Sequence, residues 1–80
     1  MSNIIRVGVD LAKNIFHIHA VNEQEKIVWQ GKYNRNSWLR AIAKRVPTSA
    51  VIAFEACASA HFWARELTAM GYQVKLITPQ

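Results

Sequence analysis

Cysteine is almost missing from the 80-residue sequence, with Cys57 alone present. A single thiol excludes an internal disulfide and cannot build a structural zinc site. Proline and glycine are sparse, two and three residues, and no Pro/Gly/Ser linker, internal repeat or low-complexity tract breaks the chain. One domain over residues 1–80 is therefore expected. No apolar run approaches the roughly 18 residues that cross a bilayer, and Arg6 interrupts the only apolar stretch near the start. The start also lacks the basic region, apolar segment and small-residue cleavage site of a secretory signal. The expectation is a cytoplasmic protein with no membrane partner. Acids are the other scarcity: five Asp+Glu stand against ten Lys+Arg, for a net charge of +5. Such a balance suits a polyanion, whose phosphates release counterions when neutralised, or serves solubility alone.

What is present is apolar. Hydrophobic residues make up 51% and charged residues 19%, which excludes disorder and supports a packed core. Ile4 through Asp10 is β-branched and apolar apart from Arg6, as in a strand with both faces largely covered. Strand formers return at Ile15–Val21 and, after the polar turn Asn22–Glu25, at Lys26–Tyr33. Short connections among these three predict an antiparallel meander. The period then changes. Asn34 or Asn36 can cap a helix whose buried stripe is Leu39, Ile42, Ala43 and Val46, and Pro47 ends it. Val51–Phe54 is a short buried strand finishing at Glu55. Ser59 can cap a second helix with Trp63, Leu67 and Met70 on one face, and Gly71 occupies the left-handed cap position. Tyr72–Ile77 reads as the last strand, stopped by Pro79. The order is βββαβαβ: an α/β mixed five-stranded sheet, its last two strands parallel to the first, with helices packed on at least one face.

Asp10 and Glu55 each close an apolar run, so each is expected at the carboxyl end of a central strand. On neighbouring parallel strands the two carboxylates emerge at one sheet edge, where open α/β sheets place their sites. Two carboxylates there repel unless a cation compensates, which suits Mg²⁺ or Mn²⁺. Taken singly, Asp10 can instead cap the turn after its strand and Glu55 neutralise a helix N-terminus. Glu23, Glu25 and Glu66 fit solvated positions, leaving no third acid; a two-metal phosphoryl-transfer site usually needs more. His17 and His19 alternate with Ile18 and share one sheet face, without an evident third zinc ligand. His61, six residues past Glu55, and Lys13, three past Asp10, are candidates for phosphate contact, or an ordinary helix start and a solvated loop lysine. Arg40 and Lys44, four residues apart with Arg35 and Arg45 nearby, form either a patch for a nucleic-acid backbone or a solvated helix face. Trp63 is expected in the core; Trp29 and Trp38 fit either core or surface.

Three stretches together, Val7–Asn14, Phe54–Leu67 and Gly71–Gln80, resemble the N-terminal domain of the DEDD-motif insertion-sequence transposases related to the Piv invertase. The resemblance covers essentially the whole chain. Its most specific block is Glu55-Ala56-Cys57 followed by His61-Phe62-Trp63-Ala64-Arg65; the Gly8-Val9-Asp10 start is weak alone. It implies an RNase H-like, RuvC-like fold whose C-terminal part lies past Gln80. It also implies Asp10 and Glu55 as the first two acids of the tetrad, holding Mg²⁺ or Mn²⁺ to cleave and join DNA. The two remaining aspartates and a nucleophilic serine would come later, so the 80 residues alone are expected to be inactive. DNA, a guide RNA and further copies of the full-length protein are the implied partners. Ala58 and Tyr72 depart from the glycine and histidine common in that family, and neither is a proposed ligand.

Two other readings compete. The sugar-kinase and actin-like ATPases share the topology but need glycine and Ser/Thr after the strand-end aspartate, where this chain has Leu11-Ala12-Lys13. A non-catalytic basic nucleic-acid-binding module would bind in a salt-sensitive way and be indifferent to Asp10 and Glu55.

Overall fold

The computed structural model describes residues 3–11, 14–55 and 59–77. Seven elements follow in the order β1 (Arg6–Leu11), β2 (Ile15–Val21), β3 (Ile27–Asn34), α1 (Trp38–Arg45), β4 (Val51–Glu55), α2 (Ala60–Ala69) and β5 (Gln73–Ile77). The strands form one sheet in the order β3-β2-β1-β4-β5. β2 runs antiparallel to both β1 and β3, while β4 is parallel to β1 and β5 to β4. The mixed five-stranded α/β architecture expected from the sequence is the one present.

Strand alternation decides which sheet face is covered. Val7 and Val9 of β1, Phe16, Ile18 and Ala20 of β2, and Ile52 and Phe54 of β4 are all buried. Their register partners match across the sheet, as in Val7 with Ala20 and Ile52, so they share one face. Trp38 and Ile42 of α1 and Ala60, Trp63 and Leu67 of α2 belong to the same core. Both helices therefore pack on this face. At the centre Phe16, Trp38 and Trp63 meet edge to face, with ring centroids 5.0 to 5.5 Å apart, the geometry the ring quadrupole favours. No described helix or strand covers the opposite face, which carries Arg6, Gly8 and Asp10 of β1, His17 and His19 of β2, and Glu55 of β4.

Local chemistry sets the element ends. Ser37, not Asn34 or Asn36, is the α1 N-cap; Asn34 acts one step earlier, its Oδ1 accepting from the Asn36 N–H at 3.1 Å and the Ser37 hydroxyl at 2.8 Å. The buried stripe of α1 is Trp38, Ile42 and Val46, while Leu39 is half-buried and Ala43 exposed. The stripe rotates because Trp38 is fully buried and sets which side of the helix faces inward. Pro47 disfavours helical geometry at Val46, whose backbone is extended at φ −111°. Met70 is only half-buried on the α2 stripe. Asn22 Oδ1 shapes the β2–β3 turn by accepting from Gln24 N–H at 3.0 Å and Lys26 N–H at 3.1 Å. No helix among the described residues is long and apolar enough to cross a membrane.

Candidate active site

Asp10 is the penultimate residue of β1 and Glu55 the last of β4. The parallel register pairs Val9 with Phe54, and one further step along each strand brings Asp10 beside Glu55. Both are exposed on the uncovered face. Adjacent strands lie about 4.8 Å apart, so the two carboxylates stand as neighbours at the carboxyl ends of the central parallel pair. Neither has a hydrogen-bond or ion-pair partner among the described residues: the one ion pair there is Arg6 with Glu25, and no side-chain bond reaches Asp10 or Glu55. They border an open cleft of about 480 Å³ whose floor is Gly8 and Ala53 and whose rim includes Arg6, His19 and Ile77. At Gly8 an added Cβ would find nothing nearer than the His19 carbonyl oxygen at 4.0 Å, so the fold's own packing does not require a glycine there.

The antiparallel register sets His17 directly opposite Asp10 and Lys32 opposite His17. A row Lys32, His17, Asp10, Glu55 thus crosses the open face. Sequence reasoning placed His17 and His19 on one face without seeing that it is the carboxylate face. The short link between Leu11 and Ile15 was the signal, because a tight connection fixes cross-strand register.

The other candidates divide. His61 is exposed on α2 and lines a shallow groove with Ala64, Arg65 and Thr68, separate from the cleft's lining. Lys13 lies outside the described residues. Arg40 and Lys44 stand on α1, on the helical side of the sheet, where they flank a groove with Tyr33 and Arg45. Trp38 and Trp63 are both core residues, and Trp29 is half-buried.

As a donor set, two unpaired carboxylates fit a hard divalent cation. Mg²⁺ is commonly held by one or two carboxylates, with water and substrate phosphate completing its octahedron. No group of three or more His, Cys, Asp or Glu that could hold a metal occurs among the described residues. The arrangement is thus open toward whatever lies over the sheet.

No protein-family model matches the chain. No solved structure matches it either. Among curated proteins it is similar over its whole length to one named as transposase y4pF/y4sB in Sinorhizobium fredii, at 41% identity over 80 residues. It is 42% identical over 78 residues to a family 20 transposase of Pseudomonas aeruginosa. A third relative, the transposase for insertion sequence element IS1328 of Yersinia enterocolitica, is 39% identical over 80 residues. The chain spans 20, 22 and 23% of the lengths of these relatives. Its homologues are thus transposases by name, each several times longer than the chain itself.

Proposed function

We propose that this chain is the N-terminal, RNase H-like portion of an insertion-sequence transposase of the DEDD class, forming one domain over residues 1–80 and acting in the cytoplasm. The observation that carries this reading is the pairing of Asp10 and Glu55 on adjacent parallel strands, facing open solvent beside a cleft, in a chain whose relatives carry the transposase name. Asp10 and Glu55 are the metal ligands. A bound Mg²⁺ or Mn²⁺ would polarise a DNA phosphate and offset charge developing as the strand is cut. The chain's own part is to hold two carboxylates at strand-fixed spacing, so that little reorganisation is needed when cation and phosphate arrive. Gly8 keeps the floor low enough for a sugar–phosphate backbone to come close. His61, which lies outside the cleft, contacts phosphate, and Lys13 does so as well. Further carboxylates from the longer protein complete the cation's shell, with guide RNA and additional subunits as partners of that assembly.

The test is strand cleavage with Mg²⁺. The 80 residues alone are expected to leave DNA intact, whereas a chain extended to the length of the relatives cuts it. In the extended chain, Asp10→Asn or Glu55→Gln is expected to lower the rate by about a hundredfold to a thousandfold, as for loss of a main electrostatic contributor. Full activity in either variant overturns the assignment.

A further inference from the structure

The charge of this chain is segregated. Between Glu25 and Glu55 lie Lys26, Lys32, Arg35, Arg40, Lys44 and Arg45 and no acid at all. The remaining four cations are outnumbered by all five acids, so the whole positive excess belongs to β3, α1 and their connections. Arg40, Lys44 and Arg45 are exposed on α1, and with Tyr33 and Ser37 they line a groove of about 210 Å³ against β3. None of them is in an ion pair, since Arg6 with Glu25 is the one such pair among the described residues.

The patch is also partly preset. The Arg45 guanidinium sits 5.4 Å from the Trp29 ring centroid, and Trp29 is itself supported by Tyr33 at 5.9 Å. A stacked guanidinium keeps its donors outward and loses less freedom when it takes an anion. That contact also occupies a face of Trp29, which leaves it poorly suited to stacking unpaired bases. Arg40 and Lys44, one helical turn apart, rise about 6 Å along the axis and can follow successive phosphates of a backbone.

We infer that the α1–β3 surface built on Arg40, Lys44 and Arg45 is a docking site for the phosphate backbone of duplex DNA. Both helices lie on the sheet face opposite Asp10 and Glu55. Duplex DNA is stiff, with a persistence length of about 50 nm, and cannot fold around a body measuring 36 × 28 × 22 Å to touch both faces. The duplex on α1 is therefore a different segment from the strand at the carboxylates; this last step rests on the cleavage reading above, while the docking itself does not.

Fluorescence anisotropy with a short duplex DNA, from about 50 to about 200 mM salt, tests the surface on the 80-residue chain. The expected result is a fall in affinity with salt, weakened at least tenfold by Arg40→Ala with Lys44→Ala, and a log–log slope about 2 units shallower, one per lost phosphate contact. Removing the same charge elsewhere, with Lys26→Ala and Lys75→Ala, is expected to change affinity less than threefold. Equal loss in the two pairs shows diffuse charge and overturns the inference. Tenfold tighter binding of an RNA duplex overturns the choice of DNA. In an Asp10→Asn, Glu55→Gln background, which removes two negative charges from the opposite face, Arg40→Ala with Lys44→Ala is still expected to weaken binding at least tenfold; a loss below threefold in that background overturns the separation. A patch that behaves as expected while the cleavage test fails isolates the error to the carboxylates.

Discussion

The Tyr72 hydroxyl sits 3.1 Å from the Ile42 carbonyl oxygen and 2.7 Å from that of Val46. The Val46 carbonyl lies at the end of α1, where helix geometry leaves acceptors without partners, while that of Ile42 already accepts from the Val46 N–H at 2.8 Å. One side chain just before β5 thus both fills core volume and satisfies the end of a helix 26 to 30 residues away in sequence. Tyr72→Phe keeps the ring but strands a buried acceptor, a loss of about 1–3 kcal/mol, read as a lower urea midpoint. An unchanged midpoint would contradict this role. Burial disfavours the phenolate and raises the Tyr72 pKa above its ordinary value. The folded state then holds its proton more tightly than the unfolded chain does. The contribution is complete below the unfolded value, about 10, and is lost as pH rises through the raised folded value. Wild type should show this alkaline fall in stability, and the Phe variant should show less of it. The family resemblance marked Tyr72 only as a departure from histidine; its bond to α1 is a tertiary fact that no local pattern in the sequence carries.

Among the elements, α2 ends most sharply. Gly71 has φ +99°, and its N–H bonds the Thr68 carbonyl at 3.0 Å while the Tyr72 N–H reaches Leu67 at 3.1 Å. The two bonds are those of a Schellman cap, and they turn the chain so that β5 can run back parallel to β4. A Cβ on Gly71 would meet Thr48 Cγ2 at 3.5 Å, an ordinary contact, so Gly71→Ala isolates backbone strain. It is expected to cost about 1–2 kcal/mol, a drop in Tm of about 4–8 °C per kcal/mol for a domain of this size. A shift below one degree would mean that the cap relaxes at no cost. This stop was legible in the sequence because only glycine takes that backbone freely. The start of α1 was not: Asn34, Asn36 and Ser37 are all good caps, and the choice among them follows from Trp38, whose insertion into the core fixes where the first turn begins. Trp38 itself fitted core or surface, since nothing local distinguishes a tryptophan that meets Phe16 and Trp63 from one that meets water.

On the scale of the whole molecule, the sheet is the organising fact. Its strand sequence was readable because β1, β2 and β3 are joined by short links and β4 and β5 by a helix, which together allow few arrangements. The position of Asp10 and Glu55 followed from the same pattern. Less accessible was the choice of face. Ala20, Ile18 and Phe16 alternate with His19 and His17 in a way that defines two faces, but the alternation does not say that both helices choose the first. With both helices on one side, the other side is left with a row of polar groups over a low floor at Gly8 and Ala53. The molecule therefore presents two chemically distinct faces, cationic at α1 and anionic at the strand ends. That the carboxylate pair takes a divalent cation is the central claim, and Mn²⁺-induced broadening of amide NMR signals from the 80-residue chain tests it most directly. Broadening centred on Val9, Asp10, Phe54 and Glu55, and abolished by Asp10→Asn or by Glu55→Gln, is the expected result. Broadening centred elsewhere, or unchanged in both variants, would contradict it.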